Sequence, residues 1–464
     1  MSAVRNLLRN WRRGEPLRVL SASGQLGYGI PADSLARGLE RRPHLIGCDM
    51  GSIDPGPYYL GSGRMGAPRQ TARRDLALVL KAARSLDVPL LIGSAGTAGA
   101  APHLAATMEL LREIAQEERL SFKVATIASD LDPAFVAAAL EEGRLAPIGP
   151  MPEPTAAAVR GCSHIVGQCG VETFWRALDT QPDVVIAGRA CDTAIFAALP
   201  MKLGFDAGLA LHMAKIIECT SLCCSPAGRD AMLATLDTDG FVLESMNPAC
   251  HATPASVAAH ALYEQADPFR VEEPEGILDL HAARYEALDA HRTRVHGARF
   301  TRRERPTLKV EGAAWLGHRM VLLAGTVDPV LIGGLDAVLA AVEQKVRMLV
   351  EGDWSLHPHA YGLGAIRALP AASAPPAEVG LVIEFIGTDA EQVRAAAGVF
   401  KQNLLHHGFP GRLSTAGNVA FAFTPSELAA EPAYGFVLYH VLQDAPVESL
   451  FPISMEQVTA EDLR

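Results

Sequence analysis

From residue 17 onward the chain repeats one order of apolar and polar positions. A short apolar, β-prone run is followed by a glycine-rich or acidic loop, then by a stretch whose apolar residues recur at helical spacing. The runs at 17–20, 45–48, 90–93, 123–128 and 184–187 predict strands. The intervening stretches 33–42, 70–86, 101–118, 133–142 and 171–179 predict helices, several opening with Asp or Pro near the first turn. Strand–loop–helix repetition of this kind predicts an α/β fold with a doubly wound, mostly parallel sheet.

Near residue 270 the order changes, through the acidic 272–275 and the basic 292–305. This reads as an α/β domain over 1–270, a connecting segment over 271–306 and an α+β domain over 307–464. In the last, strands at 308–310 and 320–325 precede a helix at 335–350, and strands at 361–367 and 381–387 precede a helix at 391–406. Two β-β-α units sharing one open-faced antiparallel sheet follow. An uncovered face or edge of that kind predicts a homo-oligomer.

Composition narrows the partners. Length and the 49% of apolar residues among 464 support a large buried core. With 52 acidic against 41 basic residues the net charge is −11, which repels phosphate backbones and turns attention from nucleic acid to small molecules. Eight cysteines without paired CxxC spacing read as reduced thiols, and neither a secretory signal nor a membrane-length apolar run is present; a cytoplasmic location without membrane contact is expected. Asp353, His357 and His359 lie close together, but Pro358 between the histidines predicts a loop, and no metal is assigned.

In an open parallel sheet the ligand crevice lies at the carboxyl ends of the strands. The loops there carry Gly24, Gly27 and Gly29 after the first strand, Asp49 after the second, Gly96 and Thr97 after the third, Asp130 after the fourth, and Gly188 to Thr193 after the fifth. Glycine N–H groups at helix starts suit an anion, so the first and third loops are expected to touch ligand. Their spacing is wrong for a dinucleotide fingerprint, so turnover is expected not to need a nicotinamide, and the sequence names no other cofactor. Arg189 and Asp192 form the sharpest pair: an arginine fork can grip a substrate carboxylate while an aspartate three residues on moves a proton. Glu218, three residues after Lys215, is a second candidate acid. Cys169 precedes a helix start that would activate a thiolate, and Cys191 has a similar position.

The first-strand loop, Gly188-Arg189-Ala190-Cys191-Asp192, Lys215-Ile216-Ile217-Glu218-Cys219 and Ala261-Leu262-Tyr263-Glu264 through Asp267-Pro268 resemble the acyclic terpene utilisation (AtuA-like) family. So do Ser414-Thr415-Ala416-Gly417-Asn418 and Phe436-Val437-Leu438-Tyr439-His440. Where that family commonly carries Gly-Thr-Gly-Gly, this chain has Cys250-His251-Ala252-Thr253-Pro254. The resemblance implies breakdown of branched terpenoid acids or other carboxylates without naming a reaction. Arginine and carboxylates at one crevice point to a lyase or hydratase acting on a carboxylic acid or its acyl-CoA thioester. A hydrolase with a cysteine nucleophile and a noncatalytic binding subunit of a partner enzyme are the alternatives.

Overall fold

The computed structural model describes residues 2–263, 266–370, 374–412 and 417–460. Glu264 and Ser414, Thr415 and Ala416, which carry part of the resemblance, lie outside the described residues. The chain divides into a larger unit, Met1–Ala314 with Phe436–Arg464, and a smaller one, Trp315–Gly435. It leaves the larger unit along the strand Leu308–Thr326 and returns along Glu427–Leu442.

The larger unit is built on a ten-stranded sheet. Its parallel centre consists of the five expected strands, Leu17–Ser23, Leu45–Asp49, Leu90–Gly93, Phe122–Ile127 and Val184–Ala187. Strands one, two and three lie side by side, and the fifth is inserted between the third and the fourth. On both sides the pairing turns antiparallel, through Met232–Leu236 against the first strand and Ile453–Val458 against the fourth, so the sheet is mixed.

Both faces of this sheet are buried, which is why its strands read as unbroken apolar runs. Leu91, Val185 and Ala187 point into one core with the helices Val171–Asp179, Asp192–Lys202 and Ala207–Ile217. Leu90, Ile92, Val184 and Ile186 point into another with Arg69–Leu86 and Ala101–Glu117. Alternate residues of one strand thus serve opposite layers. The stretch 271–306 carries strands of its own, among them Gly276–Asp279, Arg284–Ala287, Arg292–His296 and Arg299–Arg302.

The expected strands at 308–310 and 320–325 are one strand of 19 residues, Leu308–Thr326, which begins in the larger unit and ends in the smaller. Its periodicity is not uniform because its partners change. Val310 to Ala313 pair with His164–Gly167, whereas His318 to Thr326 pair with Val379–Gly387. From Leu308 to Leu442 the order is therefore β-α-α-β-β-α-β rather than two β-β-α repeats, with helices Pro329–Gly333, Leu335–Leu349 and Ala390–His406. The strand expected at 361–367 lies instead at Trp354–Tyr361 and, among the described residues, pairs with Val379–Gly387 alone, an edge position that tolerates Pro358. His357 and His359 therefore stand on a strand. Their ring nitrogens meet Ser355 Oγ at 2.9 Å and Glu384 Oε2 at 3.0 Å. Among the described residues no group of three metal-ligating side chains occurs.

Candidate active site

The five strand-end loops meet at one end of the parallel strands, but most of the polar groups expected there to await a ligand already hold each other. Gly27 and Gly29 both have positive φ, and their N–H groups donate to Asp75 Oδ2 at 3.0 and 2.9 Å; Ile30 N–H donates to Oδ1 at 3.0 Å. Asp75 is fully buried on the helix Arg69–Leu86. The anion gripped by the first glycine loop is thus a carboxylate of the chain itself. Gly24 has a different reason: a Cβ there would stand 2.7 Å from the Glu218 carbonyl oxygen.

The third loop is packed against its neighbours. A Cβ on Gly96 would press on His103, and a Cβ on Gly51 would lie 2.2 Å from Thr97 Cα. The Thr97 hydroxyl accepts Gly66 N–H at 2.9 Å. Neither Gly96 nor Thr97 lines the cleft described below. Asp130 lies 4.0 Å from His164 and does not line that cleft, and burial raises its pKa.

Arg189 is buried, and its fork is occupied. Nε donates to Glu311 Oε2 at 2.8 Å and Nη2 to Oε1 at 3.3 Å, while Nη1 reaches Ser94 Oγ at 2.9 Å and the Gly51 carbonyl at 3.4 Å. Glu311 also accepts Gln168 Nε2 at 3.1 Å and lies 3.5 Å from Lys309. Burial opposes its charge, but Arg189 and Lys309 outweigh that and hold its carboxyl below the usual range. A fully buried glutamate so completely paired belongs to the architecture.

Beside this pair opens a cleft of about 400 Å³, walled by Arg189, Asp192, Lys215, Glu218, Glu273, Lys309 and Tyr439 together with Asp54, Gln168 and Cys191. Asp192 stands in the first turn of Asp192–Lys202, a helix whose start has no side-chain cap. The Thr193 hydroxyl does not supply one; it donates to Glu273 Oε2 at 2.9 Å. Among the described residues the Asp192 carboxylate has no hydrogen-bond partner. Burial raises its pKa, and Arg189, Lys215 and Lys309 pull it back toward the ionised form. Asp49, 6% exposed, has an orphaned Oδ1; burial and then the Asp192 charge push its pKa well above the usual range.

The other cleft residues differ in what they can offer. Lys215 Nζ bonds Glu218 Oε1 at 2.6 Å and lies 4.9 Å from the Tyr263 ring centre. Lys309 Nζ lies 4.4 Å from the Tyr439 ring centre. Glu273 is 5% exposed, and burial pushes its carboxyl up to about 8. Cys169 is fully buried, and burial aided by Glu275 raises its thiol; Cys191 is raised by burial and by Glu273 and Glu275. The helix start beyond Cys169 is occupied by Glu275, whose Oε1 accepts Glu172 N–H at 3.1 Å. Both shifts favour the thiol over the thiolate, the reverse of what the helix start after Cys169 led the sequence to suggest.

The structure brings Arg189 and Asp192 together with Glu218, which the sequence treated as a separate candidate, with Asp49 close by; sequence reasoning missed Lys309, Glu311, Glu273 and Tyr439. Lys309 and Glu311 carried a signal: two charges at i and i+2 of an apolar strand face the same side and need partners.

The family model described as acyclic terpene utilisation family protein AtuA matches residues 69–429, most of the chain. The chain belongs to the AtuA family. No curated protein and no solved structure matches it. AtuA membership implies a part in acyclic terpene catabolism, and the match covers Asp192, Glu218, Glu273 and Lys309 of the cleft. Among the described residues no helix is long and apolar enough to cross a membrane.

Proposed function

We propose that the cleft is the active site of a hydro-lyase acting on a small carboxylic acid or its thioester. The observation that carries the reading is one cleft holding two acids in different surroundings. Asp192 has no hydrogen-bond partner among the described residues and is surrounded by cations, while Glu273 is kept protonated near neutrality. Asp192 takes the proton from the carbon next to the carboxyl or thioester carbonyl. The electron pair forms the double bond, the C–O bond to the β-hydroxyl breaks, and Glu273 gives its proton to the departing oxygen, which leaves as water. Lys309 holds the carboxylate or carbonyl oxygen, because the Arg189 fork is already bound by Glu311.

The test offers the purified protein a panel of 3-hydroxy acids and the matching 2,3-unsaturated acids, each as free acid and as thioester. Water loss or addition is followed by ultraviolet absorbance. Turnover of one pair by the protein alone supports an enzyme. Binding without turnover across the panel would instead favour the noncatalytic subunit.

A further inference from the structure

At one end of the smaller unit's sheet three strands begin or finish together. Thr326 stands opposite Val379 and Tyr361 opposite Gly380, while Gly325 bridges Ala420. The segments that leave these positions carry large apolar side chains into solvent. Ile366 is 86% exposed and Val327 69%; Tyr361, Leu363, Leu369 and Phe423 are each at least 39% exposed. Six side chains of this size leave roughly 600–700 Å² open at one end of the sheet, beyond the largest patch of an ordinary soluble chain. It is also most of the about 800 Å² that each partner gives to a stable pairing.

The charges around this end are few, and most are already held. The Asp328 carboxylate accepts the N–H groups of Val330 at 2.8 Å and Leu331 at 3.3 Å. Arg412 donates to the carbonyls of His406 and His407 at 3.1 and 3.2 Å, and Glu427 is bound by Lys401 at 2.7 Å. Arg367 and Glu378 are exposed, and among the described residues their charged groups have no partner. The end therefore offers solvent an apolar patch with one free cation and one free anion.

We propose that this end of the smaller unit is the surface through which two copies of the chain pair about a two-fold axis, Arg367 of each copy meeting Glu378 of the partner subunit. Two chains of net charge −11 repel each other, so they associate best where the surface is apolar and its free charges cancel. A two-fold axis sets each patch against itself, which buries the apolar side chains together and pairs the cation with the anion twice.

The test is sedimentation velocity of the full chain at micromolar concentrations, where wild type should have twice the mass of one chain. Ile366→Asp and, separately, Val327→Asp should raise the dimer dissociation constant about 100-fold or more, because both halves of the interface lose the burial. Their melting temperatures at concentrations where wild type is also dissociated should match wild type. Arg367→Glu alone and Glu378→Arg alone should each weaken the dimer, whereas an equimolar mixture of the two variants should restore it. A pair formed within one chain could not be restored by mixing. A wild-type monomer at every concentration overturns the proposal, and one that floats with phosphatidylcholine vesicles assigns the patch to a lipid surface instead. A dimer that both aspartate variants leave intact also overturns it, by placing the interface elsewhere; a mixture that stays monomeric overturns the charge pairing.

Discussion

Asp75, which reaches the first strand-end loop from the helix Arg69–Leu86, and Asp192, which follows the fifth strand, are opposites. Asp75 is fully buried and accepts three backbone N–H groups as well as Arg74 at 2.7 Å. Asp192 borders a cleft and, among the described residues, accepts none. A carboxylate whose acceptor sites are filled can only hold structure together, whereas one with open acceptor sites beside cations can receive a proton. The same contrast separates Glu311, bound by Arg189, from Glu273, whose environment keeps it protonated.

The contrast breaks first at Asp75. Asp75→Ala orphans three N–H groups and should cost about 3–5 kcal/mol, read as a lower denaturant midpoint. A loss under about 1 kcal/mol would show that the glycine loop does not depend on that carboxylate. Next in size, Lys309→Met removes a cation more exposed than Lys215 or Arg189 and should raise KM about 10- to 100-fold with little change in stability, since hydrogen bonds to charged groups are worth about 1.5–3 kcal/mol.

A smaller effect concerns pH. The Glu273 carboxyl titrates near 4.5 when unfolded and is pushed up to about 8 in the fold. Its contribution to stability is thus complete below pH about 4.5 and is lost as pH rises through about 8. Melting temperature should fall across that window in wild type, by on the order of a few kcal/mol of stability at most, and Glu273→Gln should reduce the slope. Turnover should decline above pH about 8, where the acid loses its proton. A slope and a decline that both persist in Glu273→Gln assign the titration to another group.

The parallel centre of the sheet was legible because strands buried on both faces are short, apolar throughout and followed by helical spacing. The helix Val171–Asp179 falls where periodicity placed it. What could not be read was who satisfies whom. Gly27 and Arg189 looked ready for an external anion, and the helix start after Cys169 for that residue's own thiolate. Their partners, Asp75, Glu311 and Glu275, stand 48, 122 and 103 residues away from the groups that bind them. Such carboxylates are brought in by tertiary folding, and no local pattern announces them. The long strand Leu308–Thr326 was divided for a related reason: its burial is continuous where it pairs with His164–Gly167 and alternates where it pairs with Val379–Gly387.

The central claim is that Asp192 is kept open for chemistry at the expense of stability, and Asp192→Asn tests it most directly. The measurement pairs turnover of the hydrated or unsaturated acid with the melting temperature of the same protein. Because burial raises the Asp192 pKa, a neutral isostere relieves a penalty, so the variant should melt no lower than wild type. Its turnover should fall about 10²- to 10⁴-fold, the usual contribution of a positioned base. Turnover at the wild-type rate, or a melting temperature that drops together with activity, would contradict the account.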